Sequence, residues 1–171
     1  MKIVLIGYMS SGKSTIGKHL ADKLFLPFID LDIYIEKKEK KSVSDIFKNK
    51  GEIYFRLIEH KYLKEILISD QKVVLSLGGG TPCYADNMNL INTTSAISFY
   101  LQTSIKVLVD RLTKEKDDRP LIASLEDNKI SEFVAKHLFE RRAFYEKANF
   151  IIKTEGKSKP EIIKELNVLL H

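Results

Sequence analysis

The sequence predicts an α/β fold, with a parallel sheet covered by helices on both faces. Three observations predict it. Short apolar runs of strand length alternate with helical patterns through all 171 residues. The first run leads through Gly7-Tyr8-Met9-Ser10-Ser11-Gly12-Lys13-Ser14-Thr15, a G-x-x-x-x-G-K-[ST] pattern, directly into a helix. No internal repeat, low-complexity stretch or linker interrupts the alternation, so residues 1–171 are expected to form a single domain.

The elements follow in order. Lys2-Ile3-Val4-Leu5-Ile6 reads as a short buried strand, and Ser14 to Leu24 as a helix. Between them the glycines let backbone N–H groups curl around phosphate oxygens, and the helix N-terminus adds a favourable dipole. Lys13 would reach the β- and γ-phosphates of a nucleoside triphosphate, and the Ser14 hydroxyl would ligate Mg²⁺. Pro27-Phe28-Ile29-Asp30 reads as the second strand, ending in Asp30-Leu31-Asp32. Ligands of open α/β sheets bind beyond the carboxyl ends of the strands. With period-2 alternation Asp30 and Asp32 would share a face while Leu31 turns away. One could then hold Mg²⁺ and the other accept a hydroxyl proton; alternatively, one of them simply caps the next helix.

Ser42-Val43-Ser44-Asp45 opens a short helix, Lys50-Gly51-Glu52 breaks it, and a longer helix runs from about Glu52 to Ile68. Arg56 lies near its start. Val73 to Leu77 is the next buried strand and runs into Gly78-Gly79-Gly80. Three glycines after a strand mean that the backbone comes very close to something, either substrate or the chain in a tight turn. Thr81-Pro82 is expected to start a helix, and Cys83 reads as an inert thiol. The third strand lacks a terminal aspartate, so a Mg²⁺ carboxylate must come from elsewhere, which points to Asp30.

Ser95 to Leu101 forms a fourth strand, and Ser104 caps the helix after it. The charged stretch Lys114 to Leu121, with Arg119 inside it, has no apolar period and reads as a mobile segment able to close over a site. Lys129 to Ala148 is a long helix. Its adjacent Arg141 and Arg142 face different directions, so at most one enters a common site. Phe150-Ile151-Ile152 is a fifth strand, and Ser158 with Pro160 opens the last helix.

Composition narrows the function classes. Hydrophobic residues make up 44% and charged residues 30%, as in a globular chain. No apolar run approaches the roughly 18 residues of a membrane helix. Cys83 is alone and cannot form an internal disulfide, which points to a cytoplasmic protein. The net charge of +5 comes from scattered lysines, so the balance favours anionic small molecules over nucleic acid.

Taken together, the sequence resembles the shikimate kinases. The resemblance covers nearly the whole chain and rests on six separated pieces in order: Gly12-Lys13-Ser14-Thr15; Asp30-Leu31-Asp32; Gly51-Glu52 with Phe55-Arg56; Ser76-Leu77-Gly78-Gly79-Gly80; Arg119-Pro120-Leu121; and Glu140-Arg141 before Tyr145. The resemblance implies a three-layer α/β/α fold of the P-loop, nucleoside monophosphate kinase-like type, with a five-stranded parallel sheet in the order 2-3-1-4-5. It implies a substrate-binding region near residues 32–62 and a mobile lid near 112–125. The activity implied is transfer of the γ-phosphoryl group of ATP to the 3-hydroxyl of shikimate, with Mg²⁺, by a cytoplasmic monomer.

Carried over by position, Lys13, Asp32 and Arg119 are catalytic. Ser10, Ser11, Gly12, Lys13, Ser14, Thr15 and Arg119 bind ATP. Asp32, Arg56, Gly79 and Arg141 bind shikimate, and Ser14 and Asp30 serve the metal. Arg111 stands where some members stack an arginine on adenine. Two departures are local: Ala143 replaces a common proline, and Tyr8-Met9-Ser10 is bulkier than usual in the phosphate loop. Another small-molecule kinase of the same fold, such as a gluconate kinase, is the alternative.

Overall fold

The computed structural model describes residues 1–116 and 121–170. Five strands form one parallel sheet: β1 (Lys2–Ile6), β2 (Phe28–Asp30), β3 (Val73–Ser76), β4 (Ala96–Gln102) and β5 (Phe150–Lys153). Their order is β2-β3-β1-β4-β5, as expected. β1 lies at the centre and every one of its residues is buried, which explains the apolar run from Ile3 to Ile6. Val4 and Ile6 enter the core on one face of the sheet, and Ile3 and Leu5 enter the core on the other.

Seven helices accompany the strands among the described residues: α1 (Lys13–Leu24), α2 (Leu31–Glu39), α3 (Val43–Ile68), α4 (Asn87–Asn92), α5 (Ile105–Lys114), α6 (Asp127–Tyr145) and α7 (Lys159–Leu169). Ile16 and Leu20 of α1 pack with Ile162, Ile163 and Leu166 of α7 on one face. Residues of α2, α3, α4, α5 and α6 fill the larger core opposite.

The observed boundaries alter several expectations. β2 stops at Asp30, and α2 begins at Leu31. The strand alternation expected across Asp30-Leu31-Asp32 is therefore absent. Asp30 caps α2 by accepting from the N–H groups of Asp32 and Ile33, and Leu31 turns fully into the core. Thr81-Pro82-Cys83 forms a single 3-10 turn rather than the start of an α-helix. α6 runs from Asp127 to Tyr145, a shift toward the N-terminus of the expected 129–148. Of the segment 112–125, residues 112–114 continue α5 and Ile122 is fully buried.

The break expected at Gly51 is present as a kink inside α3, where Gly51 takes φ 80° and ψ 171°. The kink reorients the helix just before Arg56. Only glycine adopts this backbone region readily, whatever space surrounds it. Gly51→Ala is expected to cost about 1–3 kcal/mol in denaturant unfolding, although nothing lies within 4 Å of the added methyl group. Gly51→Asn should do no better, because asparagine's tolerance is for a different ψ. Wild-type midpoints for both variants would contradict this account of the kink.

Candidate active site

The phosphate loop joins β1 to α1 at the carboxyl edge of the sheet. Gly12 sits at φ 95° as the N-cap of α1 with no side-chain cap bond, so the N–H groups of the first turn face the loop. Lys13 is buried, and its Nζ donates to the carbonyls of Gly7 and Tyr8 at 2.8 and 2.9 Å. Ser10 adopts φ 59°. Two residues of α5 and its C-terminus hold it there: Arg111 donates to the Ser10 carbonyl at 2.9 Å, and the Ser10 hydroxyl donates to Glu115 at 2.8 Å. The Ser11 hydroxyl is buried and has no hydrogen-bond partner among the described residues.

The loop forms one wall of a cleft of about 580 Å³ that also takes in Asp30, Asp32, Gly78 and Gly79. Arg111, Thr154 and Lys157 line its outer end. The Ser14 hydroxyl donates to Asp30 Oδ2 at 2.9 Å, while Oδ1 of the same carboxylate caps α2. The hydroxyl and carboxylate are hard oxygen donors beside a phosphate-binding loop, a set that suits Mg²⁺ arriving with nucleotide phosphates. Among the described residues no group of three His, Cys, Asp or Glu side chains gathers to hold a metal. A cation here would therefore draw its remaining ligands from phosphate oxygens and water.

Behind the cleft, the triple glycine makes room for three side chains. A Cβ on Gly78 would lie 3.1 Å from Asp32 Oδ1. On Gly79 it would lie 3.2 Å from an Arg141 nitrogen, and on Gly80 only 2.7 Å from an Arg56 nitrogen. The close approach expected of these glycines is thus to charged side chains of the protein itself. The carbonyl of Gly79 also accepts from the Tyr145 hydroxyl at 2.5 Å.

The two arginines are held differently. Arg56 donates to Glu59 at 2.8 Å and lies 3.5 Å from Glu52. Its guanidinium also stands 4.0 Å from the centre of the Tyr84 ring. Glu59 is 1% exposed, and its second oxygen accepts from the Thr81 hydroxyl at 2.6 Å. Arg141 reaches its place from α6, where its guanidinium lies 3.4 Å from His137 Nε2. Arg142 turns outward to pair with Glu146, so only one member of the Arg-Arg pair faces the site.

The structure thus brings together the phosphate loop, Asp30, Asp32, Arg56, Gly79 and Arg141. Arg119 lies outside the described residues. Sequence reasoning missed Glu59 and His137. Each stands at helical spacing from a site arginine, three residues after Arg56 and four before Arg141, and that spacing was the available signal.

Burial, reinforced by the charges of Asp30 and Glu59, pushes the Asp32 carboxyl up to about 6, against the opposing pull of Lys13 and Arg56. Burial raises the Cys83 thiol to about 11, as expected of an inert cysteine.

This sheet order and phosphate loop, with Asp32 in the cleft and Arg141 and Arg56 against the glycine turn beside it, define a phosphotransferase of small molecules that uses a nucleoside triphosphate. A family model described as shikimate kinase matches residues 9–170. The chain belongs to the shikimate kinase family. It is 47% identical over 169 residues to the shikimate kinase of Flavobacterium psychrophilum, covering 99% of this chain and 98% of that one. The crystal structure of shikimate kinase from Bacteroides thetaiotaomicron superposes with a TM-score of 0.92 at 37% identity, covering 99% and 98% of the two chains. Shikimate kinase from Acinetobacter baumannii, solved in complex with shikimate, has a TM-score of 0.88 at 30% identity, with coverage of 99% and 92%. The activity is accordingly that of a shikimate kinase, with ATP as phosphoryl donor and shikimate as acceptor, and the gluconate kinase alternative falls away.

Two predictions follow from this geometry. A carboxyl whose folded pKa is raised binds more protons when folded than when unfolded. Asp32 therefore favours the fold below its ordinary pKa of 3.8, and this contribution is lost as pH rises through about 6. Asp32→Asn should accordingly raise the stability of the ligand-free protein at pH 7 by on the order of 1–3 kcal/mol, and by little at pH 4. Thermal melts at the two pH values measure this; an equal shift at both would contradict the burial account. Gly80→Ala, which crowds Arg56, should raise the KM for shikimate several-fold, on the order of 1 kcal/mol, with the KM for ATP unchanged. An unaltered shikimate KM would show that Arg56 yields at no cost.

Proposed function

We propose that the transfer of the ATP γ-phosphoryl group to the 3-hydroxyl of shikimate is carried by Lys13, Asp32 and Arg119. The observation that supports this most is the position of Asp32. Its carboxylate stands against Gly78 and responds to the charges of both Lys13 and Arg56. It therefore lies between the donor and acceptor halves of the cleft.

ATP is held by Ser10, Ser11, Gly12, Lys13, Ser14 and Thr15. The first-turn amides of α1 face its phosphates, and Lys13 exchanges its loop carbonyls for a phosphate oxygen. Ser14 and Asp30 would hold Mg²⁺, which would supply neutralisation of phosphate charge when bound. Shikimate lies across Gly79 with its carboxylate toward Arg56 and Arg141, as guanidinium groups bind carboxylates through paired hydrogen bonds. The A. baumannii relative described with shikimate bound supports this acceptor.

The hydroxyl then faces Asp32. As its oxygen attacks the γ-phosphorus, the proton passes to the Asp32 carboxylate, and ADP leaves with the electrons of the broken P–O bond. Lys13 and Arg119 balance the charge on the transferring group. A carboxyl near pKa 6 is a stronger base than an ordinary aspartate and is still largely ionised at neutral pH.

One chain supplies every group in this scheme, which supports action as a monomer. Residues near 32–62 form the acceptor side. No helix among the described residues is long and apolar enough to cross a membrane, and the lone cysteine is consistent with the cytoplasm.

A coupled ADP assay tests the scheme. ADP release with MgATP should depend on shikimate. Asp32→Asn should lower turnover by about 10²–10⁴ while ATP binding is retained. Arg141→Ala should mainly raise the KM for shikimate. Arg56→Ala should do so as well and should also destabilise the fold by roughly 3 kcal/mol, because Glu59 is left buried without its cation. Near-normal turnover in Asp32→Asn would remove Asp32 from the base role, and unchanged shikimate affinity in both arginine variants would reject the carboxylate clamp.

A further inference from the structure

His137 lies between the phosphate loop and the acceptor arginine. Its Nδ1 is 3.0 Å from the hydroxyl of Tyr8, the bulky loop residue, and its Nε2 is 3.4 Å from the Arg141 guanidinium. The ring is gripped on two sides, edge-on by Tyr8 at 5.8 Å between centres and by Phe133 at 4.7 Å. A guanidinium can only donate hydrogen bonds, so Nε2 must be the acceptor. A neutral imidazole then carries its proton on Nδ1 and donates it to Tyr8 Oη, so its two neighbours select one tautomer. Burial, with the charge of Arg141, holds His137 below its usual pKa against a smaller opposing pull from Glu140. Burial likewise pushes Tyr8 up to about 12, so its hydroxyl stays protonated.

The contrast with Arg56 gives this arrangement its meaning. Arg56 is balanced by Glu52 and Glu59. Among the described residues Arg141 makes no ion pair with a carboxylate. A carboxylate partner would fix the guanidinium but cancel much of its charge. A neutral ring nitrogen fixes it and leaves the charge for an anionic ligand.

We propose that His137 is a positioning residue for shikimate, holding the Arg141 guanidinium over Gly79 through the Tyr8–His137–Arg141 chain. The proposal rests on the reading of Arg141 as a ligand of the shikimate carboxylate. It makes a residue of the ATP loop part of the support for the acceptor site.

Steady-state kinetics of the full chain with His137→Asn, His137→Gln, Arg141→Ala and the Asn/Ala double variant test it, with thermal melts run in parallel. An asparagine amide can take the Nδ1 side of the ring and keep Tyr8, but it is too short to reach Arg141. A glutamine amide extends to the Nε2 position and can offer Arg141 its oxygen. His137→Asn should raise the KM for shikimate about 3- to 10-fold, the loss expected for one hydrogen bond. Turnover and the KM for ATP should stay within about twofold, since the contact serves acceptor binding alone. His137→Gln should restore most of the loss, and in the Arg141→Ala background His137→Asn should add nothing.

The proposal is overturned by a wild-type shikimate KM in His137→Asn, by failure of glutamine to differ from asparagine, or by an undiminished asparagine effect once Arg141 is gone. Should His137→Asn not fold, His137→Ala takes its place in the same cycle. If Arg141→Ala itself leaves the shikimate KM unchanged, the reading of Arg141 fails and the proposal falls with it. An effect of Arg141→Ala with silent His137 variants rejects the proposal alone.

Discussion

At Gly78, Gly79 and Gly80 the chain carries no β-carbon, and a site side chain stands within contact of the place each one would occupy. Asp32 comes from α2, Arg141 from α6 and Arg56 from α3, and each meets a different glycine. Three elements separated in sequence therefore converge on one turn after β3. A side chain at any of the three positions would press on a charged group. The rest of the molecule serves this convergence. The sheet order sets β3 between β1 and β2, so the glycine turn lies between the phosphate loop and the end of the strand bearing Asp30.

Charge is distributed with equal economy. Asp32 sits where burial and its acidic neighbours resist ionisation, and among the described residues Lys13 and Arg56 oppose them. The cost of such a carboxylate falls on the ligand-free fold, and in the proposed transfer its use lies in a basicity that an exposed aspartate lacks. Function and stability pull in opposite directions at this residue, as they often do in active sites. Arg56 is tied to a buried carboxylate that is itself tied to Thr81, so it acts as part of a fixed frame. Arg141 is anchored by neutral partners. Of the two arginines proposed to bind the acceptor, one has its charge largely compensated, and the other makes no ion pair with a carboxylate among the described residues.

Much of this was legible in the sequence, and the failures have physical reasons. The phosphate loop was readable because strand, glycines and helix are contiguous. The separation of Arg141 from Arg142 was readable because adjacent helix positions point about 100° apart. The Asp30–Asp32 alternation failed because helix capping stops the strand one residue before the period could act. Asp30 is the cap that one of the two readings expected, and its second oxygen accepts from Ser14, a contact the sequence did not indicate. The triple glycine was read as a close approach, but its neighbours come from residues up to 62 positions away, and nothing local identifies them. Glu59 looks like an ordinary helix-surface glutamate; tertiary contacts, among them Thr81, make it a buried charge.

Lys13 carries a further consequence. Its ammonium group has two carbonyls of its own loop within hydrogen-bond distance. A phosphate that takes the lysine exchanges existing bonds for new ones, so the grip on nucleotide is a difference between two comparable sets of contacts. When the spent nucleotide departs, the lysine has a place to return to, and the loop need not leave a bare buried cation behind. On the proposed reading of Lys13, the loop is in this respect suited to turnover: the partners that temper its hold on the donor are also there to receive the lysine when the product leaves.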